Sequence, residues 1–107
     1  DDMATQRLGV ANTLKVDGGA VRARNFDPDA CVDALDQRQI RLAGTHALIV
    51  GAGGAARAAT FALLGRGVTV SIAARRREEA ARLAASLGVN AVAWPPSGRW
   101  DLLVNTT

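Results

Sequence analysis

The chain has 107 residues, with 13 Lys+Arg against 10 Asp+Glu and a formal net charge of +3, which bounds it to one domain at most with a modest core. Twelve of the thirteen cations are arginine and only Arg75, Arg76 and Arg77 form a cluster, so the charge points away from a nucleic-acid partner. Cys31 is the single cysteine, excluding an internal disulfide or a cysteine-built metal cage; with no signal-peptide pattern at the start and no apolar run long enough to span a membrane, a soluble cytoplasmic protein is expected.

In chain order, the first pattern is a hairpin. "VANTLKV" and "AVRAR" flank Asp17-Gly18-Gly19, and a turn of this kind between two extended, partly β-branched runs favours antiparallel pairing. In "NFDPDACVDALDQ", Asp27 stands before Pro28 as an N-cap before a first-turn proline, and Cys31, Ala34 and Leu35 recur at helical spacing. A short amphipathic helix is predicted there, with Cys31 in its apolar face.

From residue 46 the pattern alternates strand and helix. "HALIV" is a continuous apolar run, as in a parallel strand buried on both faces. Glycines at 51, 53 and 54 break it. Ala58, Phe61, Ala62 and Gly65 then fall at i, i+3, i+4, i+7, which predicts a helix whose small-residue face lies against the sheet, stopped by Gly65 and Gly67. "VTVSIA" reads as the next strand. Residues 78–87 form a second helix with Ala80, Leu83, Ala84 and Leu87 on one face, a Glu78–Arg82 pair, and Gly88 as terminator. "NAVAW" reads as a third strand, "PPSGR" as a loop, and "WDLLVNTT" as a fourth strand reaching the last residue, which suggests truncation. Repeats and low-complexity tracts are absent from the sequence. The fold class is α/β: a partial Rossmann-like doubly wound parallel sheet, preceded by a β-hairpin and a short helix.

Strand, Gly-x-Gly-x-x-Ala, helix is the dinucleotide-binding arrangement. Gly51 allows the tight turn, Gly53 lets backbone approach a pyrophosphate, and Ala56 permits helix-on-strand packing. Backbone N–H groups and the helix dipole then favour an anion. The bland alternative is a glycine turn that only connects two elements. About 20 residues past such a loop an NAD-binding chain offers a carboxylate to the ribose 2′-hydroxyl. This chain offers Ala73, Ala74 and three arginines. Guanidinium groups bind a 2′-phosphate that a carboxylate would repel, so the triplet points to NADP; the alternative, a solvated helix start, is disfavoured because three cations there oppose the macrodipole.

Taken together, "VANTL", "RNFDPDACVDAL", "VGAGGAARAATFAL", "AARRREEAARLA" and "DLLVNTT" resemble, in order and spacing, the shikimate dehydrogenase pattern V-N-T-L, N-T-D-G-x-G-F, G-A-G-G-A-x-R-A, N-R-T and D-L-I-I-N-x-T. The resemblance covers nearly the whole chain. It implies an NADP-dependent oxidoreductase of aromatic amino acid biosynthesis, passing hydride between the cofactor and a cyclic polyol or keto acid such as 3-dehydroshikimate. Residues 1–40 would then be the hairpin and linking helix at the edge of a substrate domain, and residues 41–107 a C-terminally truncated cofactor domain. Substrate binding would fall on Asn12, Thr13, Asn25 and Asp27, with Asp27 also catalytic, managing the substrate hydroxyl beside a lysine. Gly51, Ala52, Gly53, Gly54 and Ala55 would cradle the pyrophosphate. Arg75, with Arg76 and Arg77, would hold the adenosine phosphate, and Asn105 and Thr107 would border the nicotinamide. No metal is implied, and a homodimer is the assembly the resemblance admits.

Departures from the pattern carry expectations of their own. Phe26 stands where the family has a threonine, and Pro28 and Ala30 replace its glycines, which favours a relative acting on quinate or an amino-substituted ring. Glu79 stands where a basic residue is usual, with Arg77 as a compensating cation. The only lysine, Lys15, follows the V-N-T motif and does not match the catalytic position, so the stretch alone is expected to hold cofactor without turnover, and a non-catalytic NADP-binding module is the reading from another class. Asp27 also reads as a simple N-cap and Asn12 as a strand residue. His46, with no partner spaced for a dyad or a metal, reads as structural, and Trp94 and Trp100 as packing around a proline loop.

Overall fold

The computed structural model describes residues 3–8, 12–17, 20–24, 33 and 41–107. Three strands, β1 (Met3–Leu8), β2 (Asn12–Asp17) and β3 (Ala20–Arg24), precede β4 (His46–Val50), helix α1 (Gly54–Leu64), β5 (Thr69–Ala73), helix α2 (Arg77–Leu87), β6 (Asn90–Ala91) and β7 (Leu102–Asn105). The expected hairpin is present: β2 and β3 pair antiparallel with Asp17 opposite Ala20, leaving Gly18 and Gly19 as the link. Strand β1, which pairs antiparallel with β2, is an addition to the elements read from the sequence. Of the helix expected after Asp27, only Asp33 is among the described residues, and it is helical. Cys31 lies outside them.

The sheet runs β1-β2-β3-β7-β4-β5-β6. All pairings among β3, β7, β4, β5 and β6 are parallel. The chain steps outward from β4 through α1 to β5 and through α2 to β6, then returns to place β7 on the other side of β4. This reversal is the switch point at which doubly wound sheets open a crevice beyond their carboxyl ends.

One face of the sheet carries the core. Leu102, Ala47 and Val70 are in register across β7, β4 and β5, as are Val104, Ile49 and Ile72, and all six are buried with Ala56, Ala59 and Leu63 of α1 and Ala80, Leu83 and Ala84 of α2. Burying one such Leu, Ile or Val side chain contributes about 1.5–3 kcal/mol. Alanine at the helix positions lets both helix axes come close to the sheet.

Here the structure corrects the reading of α1. Its buried face is Ala56, Ala59, Thr60 and Leu63, whereas Ala58 and Gly65 are exposed and Phe61 is 73% exposed. Both sets obey helical spacing, but the loop delivers α1 with Ala56 against the strand, and the remaining buried positions follow at i+3, i+4 and i+7. Thr60 tolerates complete burial because its hydroxyl donates to the Ala56 carbonyl at 2.8 Å. A second correction concerns the third strand, which spans only Asn90–Ala91. Val92 donates one further bond to the Ile72 carbonyl at 2.9 Å, and the chain then turns into Trp94-Pro95-Pro96, where two residues lack the N–H a ladder requires. In α2 the expected terminator is confirmed, Gly88 being a left-handed C-cap at φ 71°.

Candidate cofactor cradle at the carboxyl ends of the strands

Register places the site. Thr13 lies opposite Arg24, Arg24 beside Asn105, Asn105 beside Val50, and Val50 beside Ala73. The row crosses the sheet at the carboxyl ends of the parallel strands. Immediately beyond it come the loop starting at Gly51, the arginines starting at Arg75, and the chain after Asn105. Positions from all five of the sequence stretches that carry the family resemblance thus meet along one edge. Asn12 is one residue from Thr13 in β2, opposite Leu8. Asn25 and Asp27, and Phe26 between them, lie outside the described residues.

Gly51 is demanded by the fold itself. Its φ is +122°, and a Cβ there would strike the Thr106 hydroxyl oxygen. That hydroxyl donates to the Val50 carbonyl at 2.8 Å, and the Thr106 N–H donates to the same oxygen at 3.0 Å. Gly51 N–H in turn donates to the Ala73 carbonyl at 2.9 Å. The base of the loop is therefore clamped by β7 on one side and β5 on the other. Thr106 was not singled out in the sequence between Asn105 and Thr107. The signal available for it was weak, a threonine following a parallel strand, because its partner is distant in the chain.

Gly53 and Gly54 differ from Gly51. Each is exposed, and a Cβ at either would meet no atom within 4 Å, so packing among the described residues does not require glycine there. Gly53 is the N-cap of α1 in extended conformation, with no side-chain cap and no acidic residue in the first turn. Among the described residues the N–H groups of Gly53, Gly54, Ala55 and Ala56 meet no acceptor; the first helical bond runs from Arg57 N–H to the Gly53 carbonyl at 3.1 Å. Unsatisfied donors and the positive end of a helix dipole converge on open space, the arrangement that attracts an anion. Ala52, half-buried, packs against the core.

All three arginines after β5 are exposed, but they differ in their engagements. Arg75 has no hydrogen-bond or ion-pair partner among the described residues. Arg76, the N-cap of α2, ion-pairs with Glu79 at 3.4 Å. Arg77, the first helical residue, donates to the Trp94 carbonyl at 3.4 Å. Glu78 and Glu79 occupy the first turn of α2 and offset the cost of cations at that end. The ion pair of this segment is Arg76–Glu79, in place of the expected Glu78–Arg82. At the end of β7, the Asn105 side-chain oxygen accepts from Thr107 N–H at 3.0 Å and from the Thr107 hydroxyl at 2.6 Å, so these two residues are joined in one short turn.

The opposite end of the sheet holds the lone histidine. His46 Nε2 and Ser71 Oγ are 2.9 Å apart, Trp100 meets the ring edge-on with centroids 4.7 Å apart, and Asp101 accepts from the His46 backbone N–H at 2.9 Å. It is a packing residue, as expected. No group of His, Cys, Asp and Glu suited to a metal ion exists among the described residues, and no described helix is long and apolar enough to cross a membrane.

Comparison with known proteins fits this architecture. The sequence model of the family described as Shikimate / quinate 5-dehydrogenase matches residues 34–96. A shikimate dehydrogenase (NADP(+)) of Halobacterium salinarum is 46% identical over 92 residues, covering 86% of this chain and 34% of the relative. Among solved structures, shikimate 5-dehydrogenase of Thermus thermophilus in complex with NADP(H) and shikimate aligns with TM-score 0.64 and 38% identity over 95% of this chain and 39% of its own. Glutamyl-tRNA reductase of Methanopyrus kandleri aligns with TM-score 0.65 and 31% identity over 75% of this chain and 22% of its own. The chain spans about a third of the length of the curated relatives it matches. With a family match over more than half its residues, on a sheet that switches direction where the glycine loop emerges, the chain belongs to the shikimate / quinate 5-dehydrogenase family.

Proposed function

We propose that this chain contributes the NADP(H)-binding part of a shikimate dehydrogenase-like oxidoreductase. The observation that carries the reading is the cradle formed by Gly53, Gly54 and Ala55. The backbone at Gly53 and Gly54 is bare although nothing among the described residues presses on it, and the N–H groups of residues 53–55 meet no acceptor among those residues. A pyrophosphate lying against the backbone supplies the reason for glycine that internal packing does not. The donor set fits the rest of the cofactor: Arg75, free of partners among the described residues at the end of β5, suits a 2′-phosphate, and no carboxylate takes its place.

In this reading the N–H groups at residues 53–55 hold the pyrophosphate, Arg75 holds the 2′-phosphate with help from Arg76 and Arg77, and Asn105 and Thr107 border the nicotinamide. Asn12, Thr13 and Asn25 position a cyclic polyol or keto acid such as 3-dehydroshikimate. Asp27 takes or returns the proton of the ring hydroxyl. Bound cofactor supplies hydride transfer at the adjacent ring carbon. Residues 1–40 form the substrate-domain edge and 41–107 the cofactor domain of a cytoplasmic homodimer. Phe26 favours a second substrate: a phenyl group where a hydroxyl could bond a polyol disfavours shikimate, and quinate or an amino-substituted ring becomes the alternative.

Two measurements test the reading. Calorimetric titration should show NADP+ binding more tightly than NAD+, and the full-length protein should reduce NADP+ in the presence of shikimate, quinate or a related ring. Equal affinities for the two cofactors would refute the role given to the arginines. Cofactor binding with no turnover across a panel of cyclic polyols would make the protein a binding module.

A further inference from the structure

We infer that Glu79 sets the degree of cofactor discrimination, its carboxylate lowering the preference for 2′-phosphorylated over unphosphorylated adenosine ligands. This rests on the NADP reading above. The three guanidiniums beyond β5 are unequal: Arg77 is directed to the Trp94 carbonyl and Arg76 to Glu79, each at 3.4 Å, and Arg75 alone is unengaged among the described residues. Glu79 lies one turn into α2, three residues from Arg76, and both side chains reach solvent, at 49% and 79% exposure. An exposed pair of this kind is weak and opens readily. An incoming 2′-phosphate dianion must share Arg76 with the carboxylate or displace it.

Displacement does not remove the negative charge. Glu79 stays on the same helical turn, within about one Debye length (~8 Å at physiological ionic strength) of a phosphate held by Arg75 or Arg76, where repulsion is only partly screened. A ligand with a 2′-hydroxyl carries no charge there and is indifferent to Glu79. The carboxylate therefore acts on the ratio of the two affinities, leaving the pyrophosphate cradle untouched. Glu78 provides the internal control: it shares the first turn and the charge but is not ion-paired to Arg76.

The test titrates adenosine 2′,5′-bisphosphate, adenosine 5′-monophosphate, NADP+ and NAD+ into the wild-type protein, Glu79→Gln, Glu78→Gln, Arg76→Ala and the Arg76→Ala/Glu79→Gln double variant, at low and high salt. Glu79→Gln should tighten the two 2′-phosphorylated ligands about twofold to fivefold, the size of an exposed charge interaction, and leave the other two unchanged. The gain should shrink at high salt and be smaller in the Arg76→Ala background. An equal gain for all four ligands, no gain, or an equal gain from Glu78→Gln would overturn the inference. Wild-type protein that binds neither NADP+ nor the bisphosphate would overturn the NADP reading together with it, whereas NADP+ binding that Glu79→Gln leaves unchanged would overturn this inference alone.

Discussion

Replacing Gly51 by alanine should unfold the base of the cradle, and its cost can be assembled from two terms. At φ +122° an L-residue is strained by about 1–2 kcal/mol relative to glycine. The new Cβ also displaces the Thr106 hydroxyl from the Val50 carbonyl, a 2.8 Å bond whose net loss costs about 0.5–1.5 kcal/mol. Together these predict a loss of about 1.5–3.5 kcal/mol, which for a domain of this size lowers the melting temperature by roughly 6–28 °C. Gly53→Ala, at the N-cap with open space around it, should cost no more than about 1 kcal/mol, and Gly54→Ala at the first helical position should be neutral or stabilising by up to about 1 kcal/mol. Thermal and urea unfolding of the three variants, with NADP+ titrations beside them, separates fold from ligand: Gly51→Ala loses stability, while Gly53→Ala and Gly54→Ala lose cofactor affinity at near-native stability. A double variant with Thr106→Ala should show a coupling of about 0.5–1.5 kcal/mol, the hydrogen bond that both single changes remove. Gly51→Ala no less stable than Gly53→Ala would refute the reasoning.

The remaining predictions address the other parts of the site and the core. Arg75→Ala should weaken NADPH binding by about 1.5–3 kcal/mol, the worth of a charged hydrogen bond, and NADH binding far less; equal losses by calorimetry would remove Arg75 from the 2′-phosphate. On α1, Ala56→Leu should destabilise by about 1–3 kcal/mol through overpacking, whereas Phe61→Ser, at 73% exposure, should shift unfolding by no more than about 0.5 kcal/mol; the reverse order would restore the opposite helix face. His46→Ala should leave the buried Ser71 hydroxyl without its ring partner and cost about 1–3 kcal/mol, with NADP+ affinity unchanged because the pair lies at the other end of the sheet.

Local chemistry decided most of the elements. "HALIV" followed by Gly51, Gly53 and Ala56 reads as strand, turn and close-packed helix because the apolar run, the positive-φ residue and the small contact residue are all short-range requirements. Asp17-Gly18-Gly19 gives the hairpin for the same reason, and Gly88 the end of α2. Strand β1 is not legible in its own residues, because "MATQRL" has little apolar alternation, and its pairing with β2 supplies what they do not. Tertiary structure decided which face of α1 is buried: Ala56 and Ala58 are equally apolar, and only the angle at which the loop delivers the helix distinguishes them. It also decided the length of β6, because two pairs with β5 exhaust the ladder before the prolines. The engagements of the arginines, to Glu79 and to the Trp94 carbonyl, depend on where α2 begins relative to the loop after β6. Thr106 is the clearest case. It sits in a run of ordinary polar residues, and its partner, the Val50 carbonyl, is 56 residues away; only the parallel register of β4 and β7 brings the two together and makes glycine obligatory at position 51.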